Sequence, residues 1–165
     1  LSSFYEYQLY CKSLNASIQK FTNVATQILK KTTEEEIVNK ILKENSSIEN
    51  YIDCRQVFSI DPPGTGDYDD AFSIDTVDDT TIISIYIANV SVWMESLNLW
   101  DSFSNRIATI YLPDRRRPML PTRLSDFLCS LQENQKRFAL VCEVIVKDNE
   151  IAENILNNRL NCYSF

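Results

Sequence analysis

The chain has 165 residues, of which 44% are apolar and 24% charged, with a formal net charge of −7. That is enough chain for one domain with a real core, and the negative balance argues against a generally basic nucleic-acid surface. No apolar run approaches the roughly 20 residues of a membrane span. Histidine is absent, which excludes Ser-His-Asp and Cys-His catalysis and every His-based metal site.

The start, Leu1-Ser2-Ser3-Phe4-Tyr5-Glu6, has no initiator Met and no signal-peptide pattern, so a start inside a longer protein is expected. Cys11, Cys54, Cys129, Cys142 and Cys162 are odd in number and widely spaced. They predict buried or half-buried thiols in a reducing, intracellular compartment rather than a disulfide scaffold or zinc knuckle. In chain order, Leu14, Ile18, Phe21, Ala25 and Ile28 recur at helical spacing and predict a helix over 4–31. Thr32 or Thr33 is an N-cap with a Glu three residues on, and Ile37, Val38, Ile41 and Leu42 carry a second helix. The acidic run Glu34-Glu35-Glu36 complements the helix dipole there and needs no functional role. A polar connection over 46–55 leads to a short strand signal at Val57-Phe58-Ser59-Ile60.

A second strand is expected over 71–74, a turn over 75–79, and a central strand over Thr81–Val90, the two strands pairing as a hairpin. A short helix over 97–108 and a strand over 109–112 follow. Residues 113–122 hold three prolines and read as irregular. Leu124–Leu131 reads as a short helix, Phe138–Val146 as a buried strand and Glu150–Leu156 as its return. The fold class is α+β: a helical lead-in over residues 1–50, then a mostly antiparallel sheet with short helices over 51–165.

The chemistry-bearing stretch is Ser59-Ile60-Asp61-Pro62-Pro63-Gly64-Thr65-Gly66-Asp67-Tyr68-Asp69-Asp70-Ala71-Phe72, with four carboxylates in ten residues and both glycines of the chain. Carboxylates gathered beside a core repel one another unless a positive partner offsets them, and hard oxygen ligands suit magnesium or manganese. The stiff turn folds Asp61 back toward Asp67, Asp69 and Asp70, and adjacent Asp69 and Asp70 point to opposite sides of an extended segment. Such a cluster can hold two cations that clamp a phosphoryl transfer. A structural acidic loop is the alternative on these residues alone. An EF-hand does not fit the spacing, and glycosidase carboxylates normally come from separate elements. Residues 53–79 hold eight acidic and one basic side chain, while 113–137 hold six basic and three acidic. An acidic and a basic patch on one domain is what a metal-dependent phosphodiester enzyme needs.

Ser59–Ala71 resembles the signature of the ribonuclease II/ribonuclease R (RNB) catalytic domain, in which an Asp is followed by others at +6, +8 and +9. SIDPPG resembles the exosome-type branch. IYIANVSVWM, TIYLPDRRRPMLPTRLSDFLCSL and KRFALVCEVIV are similar to further stretches of the family, in order, over about residues 51–156. The resemblance implies part of an RNB fold and a processive 3′→5′ hydrolytic exoribonuclease that releases nucleoside 5′-monophosphates from single-stranded RNA with Mg2+, or Mn2+. It implies a catalytic set of Asp61, Asp67, Asp69 and Asp70, with Asp61, Asp67 and Asp70 at the metal and Asp69 nearest the chemical step. It places Tyr111 against the RNA 3′ end, and Arg115, Arg116 and Arg117 are candidates for phosphates. Tyr86, Asn89 and Val92 depart from the family's usual His, Asp and His. The later half of the family domain has no counterpart in residues 138–165. The chain therefore resembles the N-terminal half of a catalytic domain, and the implied partners are RNA, the remaining part of the domain or a second polypeptide, and an exosome-like or other ribonucleoprotein assembly, with no membrane. A non-catalytic RNB-like RNA-binding or scaffold protein is the competing reading.

Overall fold

A computed structural model describes residues 2–13, 21, 23–50, 56–103, 108–111, 116–148 and 150–162. The helical lead-in is present as α1 (Ser2–Ser13), α2 (Asn23–Lys31) and α3 (Glu34–Glu44). The stripe members Leu14 and Ile18 lie outside the described residues. Thr33 caps α3: its side chain accepts from the Glu36 backbone N–H, and the Glu36 carboxylate accepts from the Thr33 N–H at 2.8 Å. These hydrogen bonds hold the Glu36 carboxyl below its ordinary value, the backbone bond contributing most.

The sheet runs in the order β1 (Glu49–Asn50), β7 (Glu150–Cys162), β6 (Lys136–Lys147), β3 (Thr80–Ala88), β2 (Asp70–Val77). Every pairing is antiparallel except β1 with β7. The architecture is thus the α+β arrangement expected, and β2 and β3 form the expected hairpin. Its turn is narrower than the acidic run suggests: β2 continues to Val77, and Asp78 alone takes a positive φ, 54°.

Two packed clusters organise the molecule. One joins α2 and α3 to the far end of the sheet: Ala25, Leu29, Ile37 and Ile41 meet Trp93, Leu124 and Phe138. Trp93 stacks edge-on against Phe138 with ring centroids 5.5 Å apart. The other covers one sheet face, where Ala71, Tyr86 and Val141 lie in one cross-strand row and Val57, Leu131 and Tyr68 pack over it. Cys129 is buried and Cys142 half-buried, both free thiols as expected; burial pushes the Cys129 thiol up to about 12, which leaves it inert at neutral pH. Cys54 lies outside the described residues.

Several expectations change. The strand expected at 57–60 is reduced to one bridge, in which Phe58 and Phe72 exchange two backbone hydrogen bonds of 2.8 Å. Pro62 and Pro63 have no N–H to extend a ladder. Between 90 and 103 the chain forms α4 (Val90–Ser96) and α5 (Trp100–Phe103), not one helix from 97. The break is at Asn98, whose positive φ of 52° ends the first helix. The expected helix over Leu124–Leu131 is a π-helix, Arg123–Leu128, with the Cys129 N–H bonded back to the Leu124 carbonyl. Inside the proline-rich stretch, β5 (Arg116–Arg117) pairs with β4 (Ile110–Tyr111). Pro118 lies just beyond this ribbon, where no donor is needed.

Arg137 is buried, yet Nε donates to the Ser130 carbonyl at 2.9 Å and Nη1 to the Lys136 carbonyl at 2.8 Å and to Glu34 at 2.7 Å. Arg137→Ala strands those acceptors and should lower stability by about 3 kcal/mol in urea denaturation. Glu34→Gln should cost less than about 1 kcal/mol, because the Glu34 side chain is 43% exposed.

Candidate active site

The acidic loop is built backbone first. Thr65 donates its N–H to the Pro62 carbonyl at 3.2 Å, with Pro63 and Gly64 between them and Gly64 at φ 89°. Pro at the second position and a positive φ at the third make this a type II turn, and a side chain at 64 would strain it. Beyond the turn the chain is pinned from beneath. Buried Ser130 accepts the Tyr68 N–H at 3.0 Å through its hydroxyl, which donates to the Gly66 carbonyl at 3.2 Å. The Leu131 N–H bonds the Tyr68 carbonyl, and the Ala88 N–H bonds the Asp69 carbonyl. Tyr68 therefore faces the core while Asp67 and Asp69 face outward.

These outward residues line an open cleft of about 640 Å³, together with Asp61, Tyr111, Arg116 and Asp126. That volume lies within the roughly 300–1,000 Å³ of small-molecule sites. Asp61, Asp67 and Asp69 share the cleft as the turn predicts. Asp70 opens β2 opposite Ile87 and is not among the cleft residues, which is the alternation expected of neighbours on an extended segment. Tyr111 is 74% exposed and free to meet a ligand. Its cross-strand partner is Arg116.

The Asp69 carboxyl is pushed above its ordinary value, first by burial and then by the charges of Asp67, Asp70 and Asp61; Arg116 works the other way. Arg116 itself is engaged by carboxylates: Nη1 donates to Asp67 at 2.7 Å, and Nη2 donates to both oxygens of Asp126 at 2.8 and 2.7 Å. These bonds hold its guanidinium charged, the Asp126 bond contributing most. Arg115 and the side chain of Arg117 lie outside the described residues. Among the described residues, no three acidic or cysteine side chains are grouped tightly enough to hold one ion. The donor chemistry nevertheless fits a hard divalent cation, because all are carboxylate oxygens and the charges of Asp67, Asp70 and Asp61 push the Asp69 carboxyl up, a repulsion that a cation would relieve.

The three departures from the family pattern are structural. Tyr86 is buried, with its hydroxyl 3.1 Å from Ser73 Oγ. Asn89 caps α4 through its side-chain oxygen, and Val92 is core. None is among the cleft residues. Two contributors escaped sequence reading. Ser130 carries no local signal. Asp126 is the one acidic residue in Arg123–Leu128, and nothing nearby in the chain marks its partner.

The RNB domain family matches residues 48–157. Exoribonuclease 2 of Cronobacter sakazakii is 33% identical over 138 residues, which are 82% of this chain and 21% of that protein. RNase R of Mycoplasma genitalium in complex with double-stranded RNA superposes with a TM-score of 0.70 at 26% identity, covering 91% of this chain and 26% of that one. Yeast Ssd1, a pseudonuclease, shares the fold with a TM-score of 0.62 at 16% identity over 74% of this chain and 16% of that one. The chain spans about a fifth of the length of the curated relative it matches.

A raised carboxyl gives a signed prediction for the metal-free chain. Folded Asp69 keeps its proton to higher pH than unfolded Asp69 does. Its stabilising effect is therefore full below the ordinary carboxylate range and is lost as pH rises through the raised value. Asp69→Asn should raise the melting temperature by about 2 °C at pH 7, with the gain vanishing near pH 3. A gain of equal size at both pH values would contradict this origin.

Proposed function

The chain belongs to the RNB domain family, and from that premise we propose that it forms the aspartate-bearing part of a metal-dependent 3′→5′ exoribonuclease acting on single-stranded RNA. The observation that carries the reading is one cleft in which Asp61 and Asp69 face an exposed Tyr111. Relatives named as exoribonucleases and an RNase R solved with RNA support it. The remaining part of the catalytic domain, on the same polypeptide or a second one, would complete the site, and an exosome-type assembly would suit the SIDPPG wording of the loop.

In this mechanism the Tyr111 ring stacks on the 3′-terminal base, a contact that every base can make. Water attacks the last phosphorus in line, the bond to the 3′ oxygen of the preceding nucleotide breaks, and a nucleoside 5′-monophosphate leaves. Asp69 accepts the proton of the attacking water. Asp61, Asp67 and Asp70 would hold magnesium, with manganese as the alternative. The ion supplies Lewis-acid activation of water and offsets charge on the phosphate. Arg116 is engaged by carboxylates in this structure, and its guanidinium faces the loop rather than standing free for phosphate. The engagement of Asp67 by Arg116 is the one observation favouring the second reading, a non-catalytic RNA-binding protein.

Single-stranded RNA labelled at its 5′ end, incubated with magnesium and the longest native polypeptide that contains this chain, should shorten from the 3′ end with release of mononucleotides. Asp69→Asn should slow release by at least about a hundredfold. Mononucleotide release that survives this change would sink the mechanism, and no release at all would favour the non-catalytic reading. Tyr111→Ala should weaken binding of the RNA 3′ end by about tenfold, the worth of one lost stacking contact, in a fluorescence anisotropy titration.

A further inference from the structure

We propose that Arg116 is a positioning residue that withholds Asp67 from the metal ligands and ties the ribbon carrying Tyr111 to the acidic loop. The inference rests on the metal-dependent reading above and revises one of its parts, since Asp67 belongs to the aspartate set that the resemblance places at the metal.

Three observations carry it. First, a single guanidinium makes three charge-assisted bonds at 2.7–2.8 Å, one to Asp67 and two to Asp126. A cation arriving at the bonded oxygen of Asp67 would have to displace a group anchored twice more on the π-helix, and one arriving at the other oxygen would meet the charge of the same guanidinium. Second, the side chains are sheltered, with 28% of Arg116, 25% of Asp67 and 18% of Asp126 exposed, so the contact is less screened than a surface pair. Third, these bonds join three separate elements: the ribbon at 116, the π-helix ten residues on at 126, and the loop at 67, which is 49 residues away. Tyr111 stands directly across the ribbon from Arg116. Arg116 therefore links the ribbon that carries the stacking ring to the carboxylates.

The signature is a pair of opposite effects that a merely structural residue would not produce. Arg116→Met removes a positive charge and releases Asp67, so affinity for divalent ion should rise at least threefold. RNA 3′-end binding should fall, because the ribbon loses its anchor. The probe is Mn2+ titrated into the chain and followed by the electron paramagnetic resonance of the free ion. Asp67→Asn, which keeps the side-chain shape, should leave Mn2+ affinity within threefold of the parent, whereas Asp61→Asn should weaken it at least tenfold.

Weakening by Asp67→Asn as large as that by Asp61→Asn would overturn the inference while sparing the metal reading. Weaker Mn2+ binding by Arg116→Met would also overturn it. The Asp67→Asn result stands by itself if Arg116→Met fails to fold. A parent chain that takes up no Mn2+ at millimolar concentration would instead sink the metal reading, and this inference with it.

Discussion

The site depends on a buried arginine that never reaches it. Arg137 donates to the Ser130 carbonyl, and the hydroxyl of that same serine receives the Tyr68 N–H and donates to the Gly66 carbonyl. The acidic loop is thus fastened to the body of the molecule by two short links. Arg137 is only 2% exposed, and its other partners are the Lys136 carbonyl at the start of β6 and Glu34 at the start of α3. Helical lead-in, sheet and loop meet at one desolvated cation. Such a group is tolerated only while its hydrogen bonds are made. Any rearrangement that moves α3 away from β6 would disturb the loop without touching an aspartate.

With its backbone held, the loop must manage its own charge. Burial and the three aspartates around it raise the proton affinity of Asp69 even in an open cleft. The structure answers part of this internally. Arg116 takes up Asp67, and Asp126 fixes Arg116 from the other side. What remains unbalanced lies at Asp61, Asp69 and Asp70, which is where a hard cation gains most. The alternation along the chain sorts the residues: Tyr68 faces the core, Asp67 and Asp69 the cleft, and Asp70 the strand end. A loop that must serve both packing and chemistry can do so because its backbone is extended.

Much of this was legible in the sequence. The capping box at Thr33 and Glu36, the β2–β3 hairpin and the long β6–β7 pair follow from local patterns that tertiary contacts reinforce. The Pro-Pro-Gly turn and the gathering of Asp61, Asp67 and Asp69 were readable because their geometry is set within a few residues. Failures came where a distant partner decides. Arg116 read as a phosphate ligand because nothing near it in the chain reveals Asp67 or Asp126. Residues 57–60 read as a strand from apolar character, but a strand needs a neighbour, and Phe72 alone supplies one. The helix at Val90 went unseen although Asn89 is a good N-cap, because the β-branched run before it masked the boundary. Tyr86, Asn89 and Val92, the departures from the family pattern, are core and cap residues, roles that only their three-dimensional neighbours reveal.

The acidic loop is divided: Arg116 neutralises Asp67, and the proposed reading gives the other aspartates to a metal ion. Anomalous diffraction from a Mn2+-soaked crystal tests that division directly. An anomalous peak is expected within bonding distance of the Asp61 carboxylate, with the Arg116 guanidinium still bonded to Asp67. A peak on Asp67 with Arg116 displaced, or a cleft without any peak at saturating Mn2+, would contradict it.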